Sequence, residues 1–126
     1  MSKTIQNILC IADSSTRLDY IARAVKKIGY DVHITHRAHQ AVALVANLTS
    51  RLDAVVMDED VVLDGASVAQ SFKAVSSIPI LLVCDKGTEG KATPAGIDLV
   101  TANGSCEEIA AGLEKLLTRA IGAAQQ

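Results

Sequence analysis

Tryptophan is absent, and one phenylalanine and two tyrosines, 2% of the 126 residues, are all the aromatic surface the chain possesses. A core of ordinary density must then be built from Val, Ile, Leu and Ala, a set that suits a parallel sheet covered by helices on both faces. Cysteine is scarce and odd in number. Cys10, Cys84 and Cys106 share no C-x-x-C spacing, which argues against a disulfide framework or a zinc site and leaves them as small core or strand-end residues. No apolar run approaches the roughly 20 residues of a membrane span, and the polar start MSKTIQN has no signal-peptide core, so a cytoplasmic protein without membrane contact is expected. The formal net charge is -2 with acids and bases interspersed, and without a basic stripe to collect phosphates nucleic acid is not an expected partner.

What is present is an aliphatic chain, 49% hydrophobic, long enough to bury a core without metals or disulfides. One domain over residues 1–126 is expected, its core over 6–120, with a flexible tail over 121–126. NILCIAD (7–13) reads as a buried strand that stops at an acid and two serines. From Ser15, Leu18, Ile21, Val25 and Ile28 recur at helical steps up to Gly29, a favoured residue just past a helix end. DVHITH is a second strand, and Ala41, Leu44, Val45 and Leu48 mark a second helix. DAVVMD is the third strand, and Val68, Phe72 and Val75 mark a helix from about Ser67. IPILLVC, the most apolar segment, is the fourth strand. The Gly- and Pro-containing DKGTEGKATPAG (85–96) opposes a stable helix and predicts a loop or frayed turn. IDLVTA is a fifth strand, and Ser105 and Glu108 form a capping box before a last helix with Ile109, Leu113, Leu116 and Leu117 on one face.

Strands alternating with helices predict an α/β three-layer sandwich, flavodoxin-like, with a five-stranded parallel sheet of order 2-1-3-4-5 and right-handed crossovers. In that order the first and third strands are neighbours, and their carboxyl ends form the crevice where such sheets place ligands. Asp13 ends one strand and Asp58 the other, so the acidic run Asp58, Glu59 and Asp60 is expected to face Asp13 across it.

With these elements in order, the chain from Asn7 to about Leu117 resembles the receiver domain of two-component response regulators (CheY-like), which is phosphorylated on an aspartate. ILCIADSS resembles the family's first strand with its acidic pair, DAVVMD the strand bearing the phospho-acceptor, and Asp64-Gly65 the close of the loop behind it. IPILLVC and GIDLVTANGSCEEI resemble the fourth strand, the fifth strand and the start of the last helix. The resemblance implies Asp58 as the candidate phospho-acceptor and a weak Mg²⁺ site from Asp13, Asp58 and the backbone carbonyl of Asp60 as the one cofactor. It also implies signalling partners: a histidine kinase, another regulator or an output domain, with homodimerisation left open.

Set against the family pattern, several positions have degenerated. Ala12 replaces one metal-binding acid, Cys84 the hydroxyl residue after the fourth strand, Leu99 the aromatic switch residue and Ala102 the lysine, with Asn103 for the proline after it. The loop from Asp58 to Gly65 is one residue shorter than usual, with Val61 and Val62 in place of Met-Pro, and the fourth helix is shortened or replaced by a loop. Lys86, just past the fourth strand, is a candidate substitute for the missing lysine, disfavoured by its place in the flexible segment. The expected function is therefore an atypical receiver in phosphorelay signalling, not an enzyme, acting as a protein-interaction module with little or no aspartyl phosphorylation. The alternatives are a receiver still phosphorylated on Asp58 and, more remotely, a small flavodoxin-like enzyme or nucleotide binder with Cys84 at its crevice, although the chain has no GxGxxG and no Walker-type loop.

Simpler roles stand beside these. The acidic run can be a solvated loop, and Asp13 can cap the helix that follows it. His33, His36 and His39 recur every three residues, yet in a strand the first two point to opposite faces, which disfavours a metal site.

Overall fold

Three short, largely apolar strands lie side by side in the interior, with a further strand at each edge of the sheet. The computed structural model describes residues 6–35, 40–43, 52–59, 61, 70–74, 77–84, 96–101 and 103–124, the last six by their backbone. The strands are β1 (Asn7–Ile11), β2 (Asp31–Thr35), β3 (Ala54–Asp58), β4 (Ile80–Val83) and β5 (Leu99–Val100), in one five-stranded sheet of order β2-β1-β3-β4-β5. All pairings are parallel, with Ile11 beside Met57, Asp58 beside Val83, and Leu82 beside Val100. The expected strand order is observed.

Every residue of β3 and β4 is buried, as strands covered on both faces must be. Side chains alternate between two apolar clusters. Leu9, Ile11, Val55, Met57, Ile80 and Leu82 join Ala41 and Phe72, from the helical residues 40–43 and 70–74, on one face. Ile8, Cys10, Ala12, Val56, Leu81 and Val83 meet the first and last helices on the other.

The first helix, α1, spans Ser15–Ile28 and buries Leu18, Ile21, Ala24 and Val25. Its cap is Ser14 rather than Asp13: Arg17 N–H donates to Ser14 Oγ at 3.3 Å. A serine hydroxyl one residue nearer the helix has the shorter reach to the orphan N–H groups. Gly29 ends α1 at φ 113, where its missing Cβ removes the usual steric cost, and its N–H donates to Lys26 O at 3.0 Å.

The C-terminal helix, Cys106–Ala124, opens as expected with Glu108 N–H donating to Ser105 Oγ at 3.2 Å. It continues through Ala124, well into the segment expected to be a tail; Ala120, Ala123 and Ala124 are strong helix formers that carry it on. No helix among the described residues is long and apolar enough to cross a membrane. Most of segment 85–96, with Lys86 and the expected interruption of the fourth helix, lies outside the described residues, as do Asp60, Asp64, Gly65, Ala102, His36 and His39.

Acids at the starts of two strands accept from backbone groups. Asp53 Oδ2 accepts from Asn7 N–H at 2.7 Å, and Asp98 Oδ2 accepts from Ile80 N–H at 2.8 Å and Lys73 Nζ at 2.7 Å. Lys73 Nζ also donates to Ile78 O at 2.9 Å, which ties helical residues 70–74 to the start of β4.

The C-terminal helix approaches β4 closely because Gly112 has no side chain: a Cβ there would lie 2.8 Å from Leu81 Cδ1 and 3.2 Å from Cδ2. Leu81 is fully buried and cannot swing aside freely. Alanine at 112 would recover about 1 kcal/mol of helix propensity against this clash, whereas Val adds two more methyls and a β-branch. Gly112→Val is therefore expected to destabilise the fold by about 2 kcal/mol, read as a lower urea midpoint at unchanged slope; an unchanged midpoint would mean that the helix is not seated as described.

Candidate functional site

The carboxyl ends of the central strands place a short row of residues side by side. Because Ile11 pairs with Met57 and Asp58 with Val83, Ala12 and Val83 flank Asp58 in neighbouring strands. Alternation puts Asp58, like Ala54 and Val56, on the face covered by α1 and the C-terminal helix. Its side chain is only 2% exposed. A carboxylate there loses its hydration, a cost of several kcal/mol unless a cation and hydrogen bonds replace the water.

Arg17 supplies both. From the first turn of α1 its Nη2 donates to Asp58 Oδ1 at 2.7 Å and its Nε to the same oxygen at 3.1 Å. These are charge-assisted bonds converging on one oxygen rather than the parallel two-oxygen fork. The Arg17 side chain keeps 26% of its surface exposed, so the pair joins a buried anion to a cation at the rim. Tyr20, three residues further along α1 and hence on the same helix face, lies beneath the guanidinium, with the ring centroid 5.4 Å from Arg17 Cζ, within cation–π range. Tyr20 Oη in turn donates to Gly104 O at 2.6 Å, and the Cys106 thiol donates to Tyr20 Oη at 3.7 Å. A continuous chain of contacts thus runs from Asp58 to the loop before the C-terminal helix.

Among the residues singled out from sequence, Asp58 and Ala12 are neighbours, as strand order predicts. Asp13 follows Ala12 at the exposed mouth of the crevice, and Glu59 beyond Asp58 is exposed. Cys84 is buried and packs in the cluster on the opposite face, with Leu82 and Ile97. The hydroxyl at this end of the sheet belongs to the residue just after β5 instead: Thr101 Oγ1 accepts from Cys84 N–H at 3.0 Å and lies 3.5 Å from Cys84 O. Leu99 packs, half-buried, on the α1 face. Asn103 Oδ1 accepts from Ser105 N–H at 2.9 Å and shapes the loop. Cys10 is sealed in the core, and burial pushes its thiol up to about 12, which keeps it protonated and unreactive at neutral pH. His33 Nε2 lies 3.4 Å from Asn7 Oδ1 at the other end of the sheet.

Arg17, Tyr20 and Gly104 were not legible as site residues. One signal pointed to Arg17: the first turn of α1 holds no acid and one arginine, against the preference of a helix N-terminus for negative charge. A cation in that place is stabilised only by an anion nearby, and Asp58 is that anion.

No known family model matches this sequence, and no curated protein matches it. Solved structures do. A response regulator receiver domain protein from Clostridium thermocellum superposes with a TM-score of 0.78 at 17% identity, over 91% of this chain and 96% of its own. The N-terminal domain of a response regulator/sensory box/GGDEF three-domain protein from Carboxydothermus hydrogenoformans gives 0.75 at 23% identity, over 96% of this chain and 100% of its own. The chemotaxis response regulator CheY4 of Vibrio cholerae gives 0.68 at 19% identity, over 90% and 100%. The fold is that of response regulator receiver domains.

Measured pairs bracket the worth of the Arg17–Asp58 contact. Breaking a fully buried pair costs about 3–5 kcal/mol, and exposed pairs contribute about 0.2–1 kcal/mol. With one partner buried and one at the rim, Arg17→Ala is expected to cost about 2 kcal/mol in urea unfolding at neutral pH, because it strands a buried carboxylate. Asp58→Asn is expected to cost less, since it removes the buried charge and leaves a solvent-accessible cation. The reverse order would contradict the placement of Asp58 in the interior.

Proposed function

We propose that this protein is a signal-transduction module with the receiver fold that works by binding other signalling proteins, with little or no dependence on aspartyl phosphorylation. The observation that carries the proposal is the pairing of Asp58, the acceptor position that the resemblance implies, with Arg17 from its own chain. Phosphoryl transfer to a carboxylate needs a free nucleophilic oxygen, a divalent cation to collect charge, and donors for the equatorial oxygens. Here Oδ1 already accepts two N–H bonds, and Ala12 offers no ligand beside it. The sequence has alanine at 102, where the resemblance expects a lysine, and loss of one preorganised donor typically costs about 3 kcal/mol of transition-state stabilisation, roughly two orders of magnitude in rate.

Switching is weakened independently. A modification shifts a conformational equilibrium only through contacts that differ between the two states. Cys84 faces the other apolar cluster and Leu99 carries no hydroxyl, so neither offers a phosphorylated Asp58 a new hydrogen bond of the usual kind. A binding module also agrees better than an enzyme with thiols such as Cys10 and Cys84, which lie in apolar clusters. Partners are expected to be a kinase, another regulator or an output domain, recognised by surface shape that is present without phosphate.

Incubation with millimolar Mg²⁺ and a small acyl-phosphate donor, followed by intact-mass measurement, tests the proposal. Only trace addition of phosphate is expected. Near-stoichiometric labelling abolished by Asp58→Asn would overturn it.

A further inference from the structure

We infer that Arg17 is the resident cation of the Asp58 site, tethered where a receiver would otherwise bind a divalent ion, and that Tyr20 positions it by bridging to Gly104. The inference deepens the proposed function and rests on its premise that Arg17 holds Asp58.

The donor set does not fit a divalent ion as it stands. Such an ion of the Mg²⁺ type takes oxygen ligands, usually one or two carboxylates, with waters and phosphates completing the shell. Beside Asp58 the row offers a methyl group, Ala12, and no three His, Cys, Asp or Glu side chains converge among the described residues. Asp58 Oδ1 already receives Nη2 at 2.7 Å and Nε at 3.1 Å. One acid fewer and one tethered base more change the local charge in the same direction: with Asp13 and Glu59 at its mouth, the crevice attracts a second cation less strongly than it would with Arg17 absent. Because the guanidinium is part of the chain, it occupies Asp58 without any metal being supplied.

Tyr20 makes that placement specific. A long arginine side chain has many rotamers and loses entropy when fixed. The Tyr20 ring limits those rotamers on one side while Asp58 limits them on the other. The ring is fixed in turn, since its hydroxyl donates to Gly104 O at 2.6 Å and accepts from the Cys106 thiol. The loop it grips leads into the cap formed by Ser105, so the start of the C-terminal helix and the Asp58 site share one strut. A change that draws Arg17 from Asp58 withdraws the cation from the Tyr20 ring and is felt at residues 103–106.

The test measures Mn²⁺ binding by electron paramagnetic resonance, with no phosphodonor present, so that its failure is distinguishable from a failure of the labelling experiment. Arg17→Gln is expected to bind Mn²⁺ at least tenfold more tightly than the unmodified protein, and the gain is expected to vanish when Asp58→Asn is added. Arg17→Lys, which keeps the tethered charge, is expected to stay as weak as the unmodified protein. Tyr20→Phe, a mild change at a partly exposed residue, is expected to tighten Mn²⁺ about threefold and to shift the Ser105 and Cys106 amide resonances. Equal affinity in Arg17→Gln and the unmodified protein, or a gain that survives Asp58→Asn, would overturn the tethered-cation role. If Tyr20→Phe left both affinity and amide shifts unchanged, the positioning role would fall.

Discussion

A carboxylate at the end of a strand buried on both faces is the constraint around which this molecule is arranged. β3 is the middle strand of the sheet, all five of its residues are buried, and the last of them is Asp58. The polarity of a parallel strand explains why this acid differs from the others. At strand starts, free N–H groups face an acid, and Asp53 and Asp98 are satisfied by Asn7 and Ile80 N–H. At strand ends, carbonyl oxygens face it instead. Asp58 must draw donors from elsewhere, and the helix packed over that face presents Arg17.

Several local features follow from this one pairing. An arginine in the first turn of α1 is unfavourable for the helix dipole, and Asp58 offsets that cost. Ser14, not Asp13, caps the helix, and Asp13 stays at the exposed mouth of the crevice. Ala12 is a small apolar neighbour where an acid would add a second buried negative charge. Tyr20 and Gly104 extend the pairing outward to the cap of the C-terminal helix.

The sheet and its order were legible because they rest on short-range pattern. Continuous apolar runs such as ILLV imply strands buried on both faces, helical spacing of Leu18, Ile21 and Val25 implies a covering helix, and alternation of the two implies parallel order. Asp58 was legible for the same reason, as the acid at the end of such a run. Its partner was not, because Arg17 lies 41 residues away and only the closed fold brings the two together. Tyr20 and Gly104, 84 residues apart, meet on the same terms. The last helix runs to Ala124, further than its apolar face marks, for a different reason: IGAAQQ has no apolar periodicity, yet alanine continues a helix by propensity alone.

The central claim is that Arg17 is fixed on Asp58 in the resting protein, and the hydrogen exchange of its own Nε–H tests that most directly. Arg23, on the same helix, is the internal reference: its Nε meets Asp19 Oδ2 at 3.0 Å, but in a pair whose side chains are 80% and 62% exposed, so water reaches the Nε–H. Nitrogen-edited NMR at neutral pH is expected to show Arg17 Nε–H exchanging at least tenfold more slowly than that of Arg23, with the difference lost in Asp58→Asn. Equal exchange at the two arginines would contradict the account.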